Sequence, residues 1–332
     1  SDDFNRGNNE GVGYFEVNQK RGWRWNASKA FLRPVRQRRN LDVRTGAMVT
    51  RRVLERGAEG ALQAGGVEVR MPHGTQTLNA ARAVVLAAGA IGTPQLLQLS
   101  GIGPPALLQQ HGIATQHALP GVGDNLQDHL QIRAVFGVCG VATLNEIAGT
   151  LWGKARIALQ YALTQRGPMS MAPSQLGAFA RSSPERAWPN LEYHVQPLSL
   201  DAFGEPLHRY PAFTASVCNL NPESRGTVRI RSARAEDAPR IAPHYLSTEA
   251  DRLVAAQSLR LTRRIAAQPA LAAYAPRELK PGVEFETDEA LSRLAGDIGT
   301  TIFHPVGTCR MGRDTDALGV LEARTHRGDR QR

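Results

Sequence analysis

The chain has 332 residues, enough to bury a substantial core and to form two domains. Its net charge of +10 comes from 40 basic against 30 acidic residues, but the arginines are scattered without interleaved aromatics, which argues against a nucleic-acid partner. Cys139, Cys218 and Cys309 form no C-x-x-C pair, so neither a metal site nor a disulfide framework is expected, and the absence of a signal-like start or of an apolar run of about 18 residues implies a reducing, cytoplasmic setting.

Residues 1–33 are polar and glycine-rich with aromatics at intervals, and they lack the start of a self-contained domain. The basic run Arg33-Pro-Val-Arg-Gln-Arg-Arg39 reads either as a solvated loop before a strand or as a phosphate or polyanion site. Residues 40–50 alternate as strands do, and Gly65, Gly66 and Gly74 punctuate a hairpin around residues 67–71. The apolar run 83–88 mixes β-branched and small residues, the pattern of a strand buried on both faces. It turns at Gly89 into a short helix expected over 95–100, with Thr93 as N-cap, Pro94 in the first helical position and Gly101 as the stop. A helix N-terminus beside such a turn favours phosphate or another anion. This region reads as part of a nucleotide-binding α/β domain.

From residue 130 the pattern changes. Residues 130–138, 191–195 and 212–217 alternate apolar and polar, as in an antiparallel sheet with one wetter face. A helix is predicted over 151–163, a turn and strand over 221–230, and a helix from Thr248 to about residue 267, with Asp251 as capping-box partner. A last helix starts at Thr287, stacks Leu291, Leu294, Ala295 and Ile298 on one face, and ends at Gly299. It delivers the chain to His304, where Pro305 biases the backbone to an extended form and Gly307 follows.

Three ordered blocks carry a family resemblance: residues 89–103, then Leu119-Pro-Gly-Val-Gly-Asp-Asn-Leu-Gln-Asp-His129, then His304-Pro-Val-Gly-Thr-Cys-Arg-Met-Gly312. Together they resemble the glucose-methanol-choline (GMC) oxidoreductases, flavoproteins that oxidise alcohols, and most closely the choline and aliphatic alcohol dehydrogenase branch. The resemblance implies α/β plus α+β architecture: a partial, Rossmann-like FAD-binding domain over 1–130, a substrate domain on an antiparallel sheet over 131–300, and a return to the FAD domain over 301–332. It implies FAD as cofactor and a small alcohol as substrate, with His304 accepting the hydroxyl proton as hydride leaves carbon, a role suited to imidazole. Val49 matches a position whose backbone meets the adenine of FAD, and Ala88, Gly89 and Ala90 match the close-approach turn. As plain physics Val49 is more often ordinary strand core, and Asn125, Asp128 and His129 are equally a polar turn with hydrogen bonds to backbone. Met169, Gln175, Phe179, Tyr193 and His194 fall in the region that lines the substrate side in the family, but each reads more readily as a structural residue than as a substrate contact.

The chain departs from that family in two places. It shows no strand followed by G-x-G-x-x-G and a helix, the unit that holds the FAD pyrophosphate. Its end, after Leu318-Gly-Val-Leu-Glu-Ala-Arg324, becomes wholly polar from Thr325 to Arg332. The expectation is a chain truncated at both ends, so that the alternative to an autonomous oxidoreductase is a non-catalytic fragment or a module that complements a partner.

Overall fold

A computed structural model describes residues 1–322 apart from 6, 57–61, 173, 203, 313–315 and 317. The polar ending expected at 325–332 therefore lies outside the described residues. The chain forms two compact units, each assembled from separated stretches.

The first unit comprises Ser1–Asp42, His129–Glu223 and Leu246–Ile302. Its frame is a seven-stranded antiparallel sheet running Gly11–Tyr14, Leu176–Ala180, Leu191–Gln196, Ala212–Asn219, Leu130–Gly137 and Arg277–Lys280, with Thr300–Thr301 also paired to Leu130–Gly137. The expected alternation sorts this sheet into two faces. Ile132, Leu191, Tyr193 and Val217 turn to one side and pack on Val254, Ala255 and Leu259 of helix Glu249–Ala266 and on Leu291 of helix Asp288–Ile298. Gln131, Glu192, His194, Ser216 and Cys218 alternate with them and occupy the other face.

Both helices start at the predicted hydroxyl caps: Thr248 accepts the Asp251 N–H and Thr287 accepts the Ala290 N–H, each at 3.2 Å. The Asp251 carboxylate departs from the expected box. Its Oδ1 accepts the Glu223 N–H at 2.9 Å and the Asn219 amide at 3.2 Å, tying the helix start to the end of a strand. Gly11–Tyr14 pairs with Leu176–Ala180, so residues 1–42 group with the antiparallel sheet, whereas the expected boundary at 130 groups them with the cofactor half. Among the described residues no helix is long and apolar enough to cross a membrane.

The second unit comprises Val43–Asp128, Ser224–Tyr245 and the described residues from Phe303 onward. A three-stranded antiparallel sheet, Met48–Arg56, Leu62–Met71 and Gly74–Asn79, realises the predicted hairpin. Helix Gly89–Leu99 sends Leu97 into a cluster with Ile102 and Val122, closed by Leu54, Leu86 and Cys309. Gln98 is fully buried in this unit and satisfied at both ends of its amide: Nε2 donates to the carbonyls of Val122 (3.2 Å) and Val228 (3.0 Å), and Oε1 accepts the Ile230 N–H (2.9 Å).

Two local expectations are corrected here. The helix begins at Gly89, so Thr93 and Pro94 lie inside it and neither caps it. Gly89 adopts φ +74°, a left-handed turn open to glycine, and that turn starts the helix four residues before Thr93. Residues 83–88 form no strand and pair with none among the described residues, and Val85 is 85% exposed instead of buried on both faces. A central parallel strand is buried only when strands flank it, and the described residues supply none.

Candidate active site

The second and third sequence blocks close on each other within the second unit. The Gly123 N–H donates to the Thr308 carbonyl at 2.9 Å, Gln127 and Val306 exchange backbone bonds at 3.0 and 2.9 Å, and the Asn125 amide donates to the Gly307 carbonyl at 3.2 Å. Gly307 has φ +93°, and a Cβ there would stand 2.4 Å from the Asn125 carbonyl oxygen, so only glycine fits. Asn125 itself has φ +62°, a conformation asparagine tolerates better than most residues, and its Oδ1 accepts the Arg225 guanidinium at 3.1 Å.

Asp128 fixes the His304 end of this ladder. It is buried, its Oδ1 accepts the backbone N–H of His304 at 3.0 Å, and its Oδ2 accepts the phenol of Tyr245. A carboxylate acceptor makes these charge-assisted bonds, the stronger class. His304 is exposed, preceded by Phe303 at φ +66°, so the imidazole stands on an anchored backbone at the surface of its unit. Tyr245, 117 residues from Asp128, carries no motif, and nothing local in the sequence points to it.

The third block also reaches the first. Pro94 inside helix Gly89–Leu99 has no N–H for the carbonyl of Ala90, and the Thr308 hydroxyl donates to that carbonyl instead, at 2.6 Å. His304, Asp128, Thr308 and Ala90 are thus brought into one connected network.

Val49 and Ala88 line one cavity of about 550 Å³ with Val67, Val85, Gly92 and Leu96. Its wall is largely aliphatic, as suits the flat face of an aromatic group. No side chain caps helix Gly89–Leu99, so its first N–H groups are open to an anion. A Cβ added at Gly89 would meet nothing within 4 Å, which leaves room for close approach. Asn125 and Asp128 make the backbone hydrogen bonds of the turn reading. Tyr193 is a core residue, with its hydroxyl 3.1 Å from the Thr262 hydroxyl, and burial pushes its phenol well above the usual range. His194 lies on the opposite face, with Nε2 3.3 Å from Glu192 Oε1.

Profiles described as GMC oxidoreductase match residues 1–131 and 222–327. The chain belongs to the GMC oxidoreductase family. It is 39% identical over 321 residues to an oxygen-dependent choline dehydrogenase of Photobacterium profundum, covering 97% of this chain and 56% of that protein. It is 37% identical over 314 residues to an alcohol dehydrogenase [acceptor] of Pseudomonas putida, covering 94% and 56%. Among solved structures it resembles pyridoxine 4-oxidase from Mesorbium loti, with TM-score 0.81 and 29% identity over 96% of this chain and 57% of that one. The chain thus spans somewhat over half the length of these relatives. FAD is the cofactor expected of the GMC family, and the aliphatic cavity, the open turn at Gly89 and the uncapped helix are compatible with parts of it.

Proposed function

We propose that this site serves FAD-dependent oxidation of an alcohol to an aldehyde or ketone, with His304 as the base. Val49 would meet the adenine part of FAD, and Ala88, Gly89 and Ala90 would form the turn against which the cofactor rests. FAD, when bound, supplies the hydride acceptor. The Asp128 carboxylate holds the His304 backbone, Thr308 locks that loop to the cofactor turn, and the imidazole takes the hydroxyl proton. In this reading the unit built from Val43–Asp128, Ser224–Tyr245 and the chain from Phe303 is the cofactor side, and the antiparallel unit is the substrate side. The observation that carries the proposal is the connection of Asp128, His304, Thr308 and Ala90 in one network.

A second reading is a module that acts only with a partner supplying further flavin-binding structure. Residues 83–88, which pair with no strand among the described residues and leave Val85 exposed, favour it, since an added strand would cover them. Flavin absorbance after gel filtration and alcohol-dependent dye reduction separate the two, measured on the chain alone and on the chain co-expressed with an N-terminal FAD-binding segment of a relative. Activity by the chain alone supports autonomous catalysis, and activity only on co-expression supports complementation. In the active form, His304→Gln lowers the rate by about 10²- to 10⁴-fold. An unchanged rate refutes His304 as base.

A further inference from the structure

The polar face of the antiparallel sheet holds a group of side chains that the proposed reaction does not use. Glu192 and Cys218 stand directly opposite each other on neighbouring strands, so their side chains leave the sheet on the same face. Gln131 opposes Cys218 from the other side, and His129 precedes Gln131 by two residues. The fold thereby brings one donor atom from each of His129, Glu192 and Cys218 within 4.8 Å of one another. Cys218 is 1% exposed, and His129 and Glu192 are half-buried, which distinguishes the group from a solvated acidic patch.

We propose that His129, Glu192 and Cys218 form a zinc site. An imidazole nitrogen, a carboxylate oxygen and a thiolate sulfur are the three donor types zinc accepts, and the thiolate selects against magnesium and calcium. The carboxylate and thiolate together balance a divalent charge, so the shielded complex is neutral. The neighbouring groups are arranged as supports for such ligands. His129 Nε2 lies 3.2 Å from the Leu220 carbonyl; donation there places the ring's lone pair on Nδ1, which becomes the ligating atom. His194 Nε2 lies 3.3 Å from Glu192 Oε1, within ion-pair distance but without hydrogen-bond geometry, so a small turn of either side chain lets it support the carboxylate once a metal is bound.

Zinc bond lengths put neighbouring donors about 3.3 to 3.8 Å apart, so closing the site takes side-chain movements of about 1 Å. Binding forms a Zn–S bond as the Cys218 S–H bond breaks and its proton passes to solvent. Three protein ligands leave a fourth position for water. Sequence spacing does not reveal this group, because its members come from three strand regions up to 89 residues apart.

Cobalt(II) titration of the full chain tests the proposal, followed by competition with zinc. The expected result is one equivalent bound with a thiolate-to-cobalt charge-transfer band that zinc abolishes. Cys218→Ser removes that band, Cys139→Ser and Cys309→Ser leave it, and His194→Gln weakens affinity by about 10- to 100-fold. Far-ultraviolet circular dichroism confirms that each variant folds. Lack of binding at micromolar metal overturns the proposal, as does a band that survives Cys218→Ser in folded protein or binding without the band.

Discussion

Thr308 donates its hydroxyl to the carbonyl of Ala90, the acceptor that Pro94 leaves without a helical N–H. Thr308 is 1% exposed, so water does not readily replace it. Thr308→Val should destabilise the second unit by about 1 to 3 kcal/mol, while Thr308→Ser stays close to wild type. Alanine at position 94 restores the N–H, so Thr308→Val should cost less in a Pro94→Ala background, with a coupling of about 0.5 to 1 kcal/mol. Hydrogen exchange of helix Gly89–Leu99 is the suitable measurement, because all four tryptophans lie in the first unit and fluorescence is blind to this one. Additive effects would mean that Thr308 does not replace the missing bond.

Asp128 accepts from the His304 backbone and from Tyr245 with opposite oxygens. Asp128→Ala should speed amide exchange across residues 304–309 by about 10- to 100-fold, the equivalent of losing a hydrogen bond to a charged group. Asparagine retains an acceptor for the His304 N–H and gains a donor for Tyr245, so Asp128→Asn should stay within about threefold. Equal effects of the two variants would show that a neutral acceptor of the same shape does not replace the carboxylate, against the hydrogen-bond account.

The three blocks were legible because their glycines, prolines and hydroxyl residues are spaced for contacts that recur as a set, and the structure joins all three. The sheet of the first unit was legible for a simpler reason: residues such as Ile132, Tyr193 and Val217 alternate with Gln131, Glu192 and Ser216. The start of the first helix was misread because Thr93-Pro94 carries the local chemistry of a cap. The residue that makes Pro94 tolerable inside the helix, Thr308, is more than 200 positions away. Tyr245 and the gathering of His129, Glu192 and Cys218 were invisible for the same reason: only sheet register and long-range packing create them.

Thiol chemistry distinguishes the cysteines. Burial pushes the Cys309 thiol up to about 11, Cys218 is buried, and Cys139 is exposed. One fast equivalent should therefore react with a disulfide reagent at pH 7.5, assigned to Cys139 by peptide mapping, with three equivalents in denaturant. The raised folded value also sets a sign: Cys309 contributes stability below the unfolded thiol's value of about 8.5, and that contribution is lost as pH rises toward 11. Rapid modification of Cys309 at pH 7.5 would contradict its packing against the Leu97 cluster.

Glu68 is held below the usual carboxylate range by the hydrogen bond from Arg51, at 2.7 Å, and by the Thr50 hydroxyl, at 2.6 Å, against an opposing effect of desolvation. Its folded value is depressed, so its contribution is present above the unfolded value of about 4.3 and is lost as pH falls through the lower folded value. Both partners are partly solvated, which limits the effect to about 0.5 kcal/mol. Arg51→Gln should remove most of that loss between pH 5 and 3, read by hydrogen exchange of strand Leu62–Met71. An unchanged acid dependence would show that the Arg51 bond does not set the Glu68 equilibrium.

The wide separation of the second unit's pieces also governs when the site comes into being. The Ala90 carbonyl waits 218 residues for the Thr308 hydroxyl, and the Asp128 carboxylate waits 176 for the His304 N–H. At ribosomal rates of about 5 to 20 residues per second, the first of these delays is roughly 10 to 40 seconds. Throughout that interval the apolar wall at residues 83–88 and helix Gly89–Leu99 exist without their latch. The latch can close only after residue 308 has left the exit tunnel, because one hydroxyl stands in for one proline's missing hydrogen.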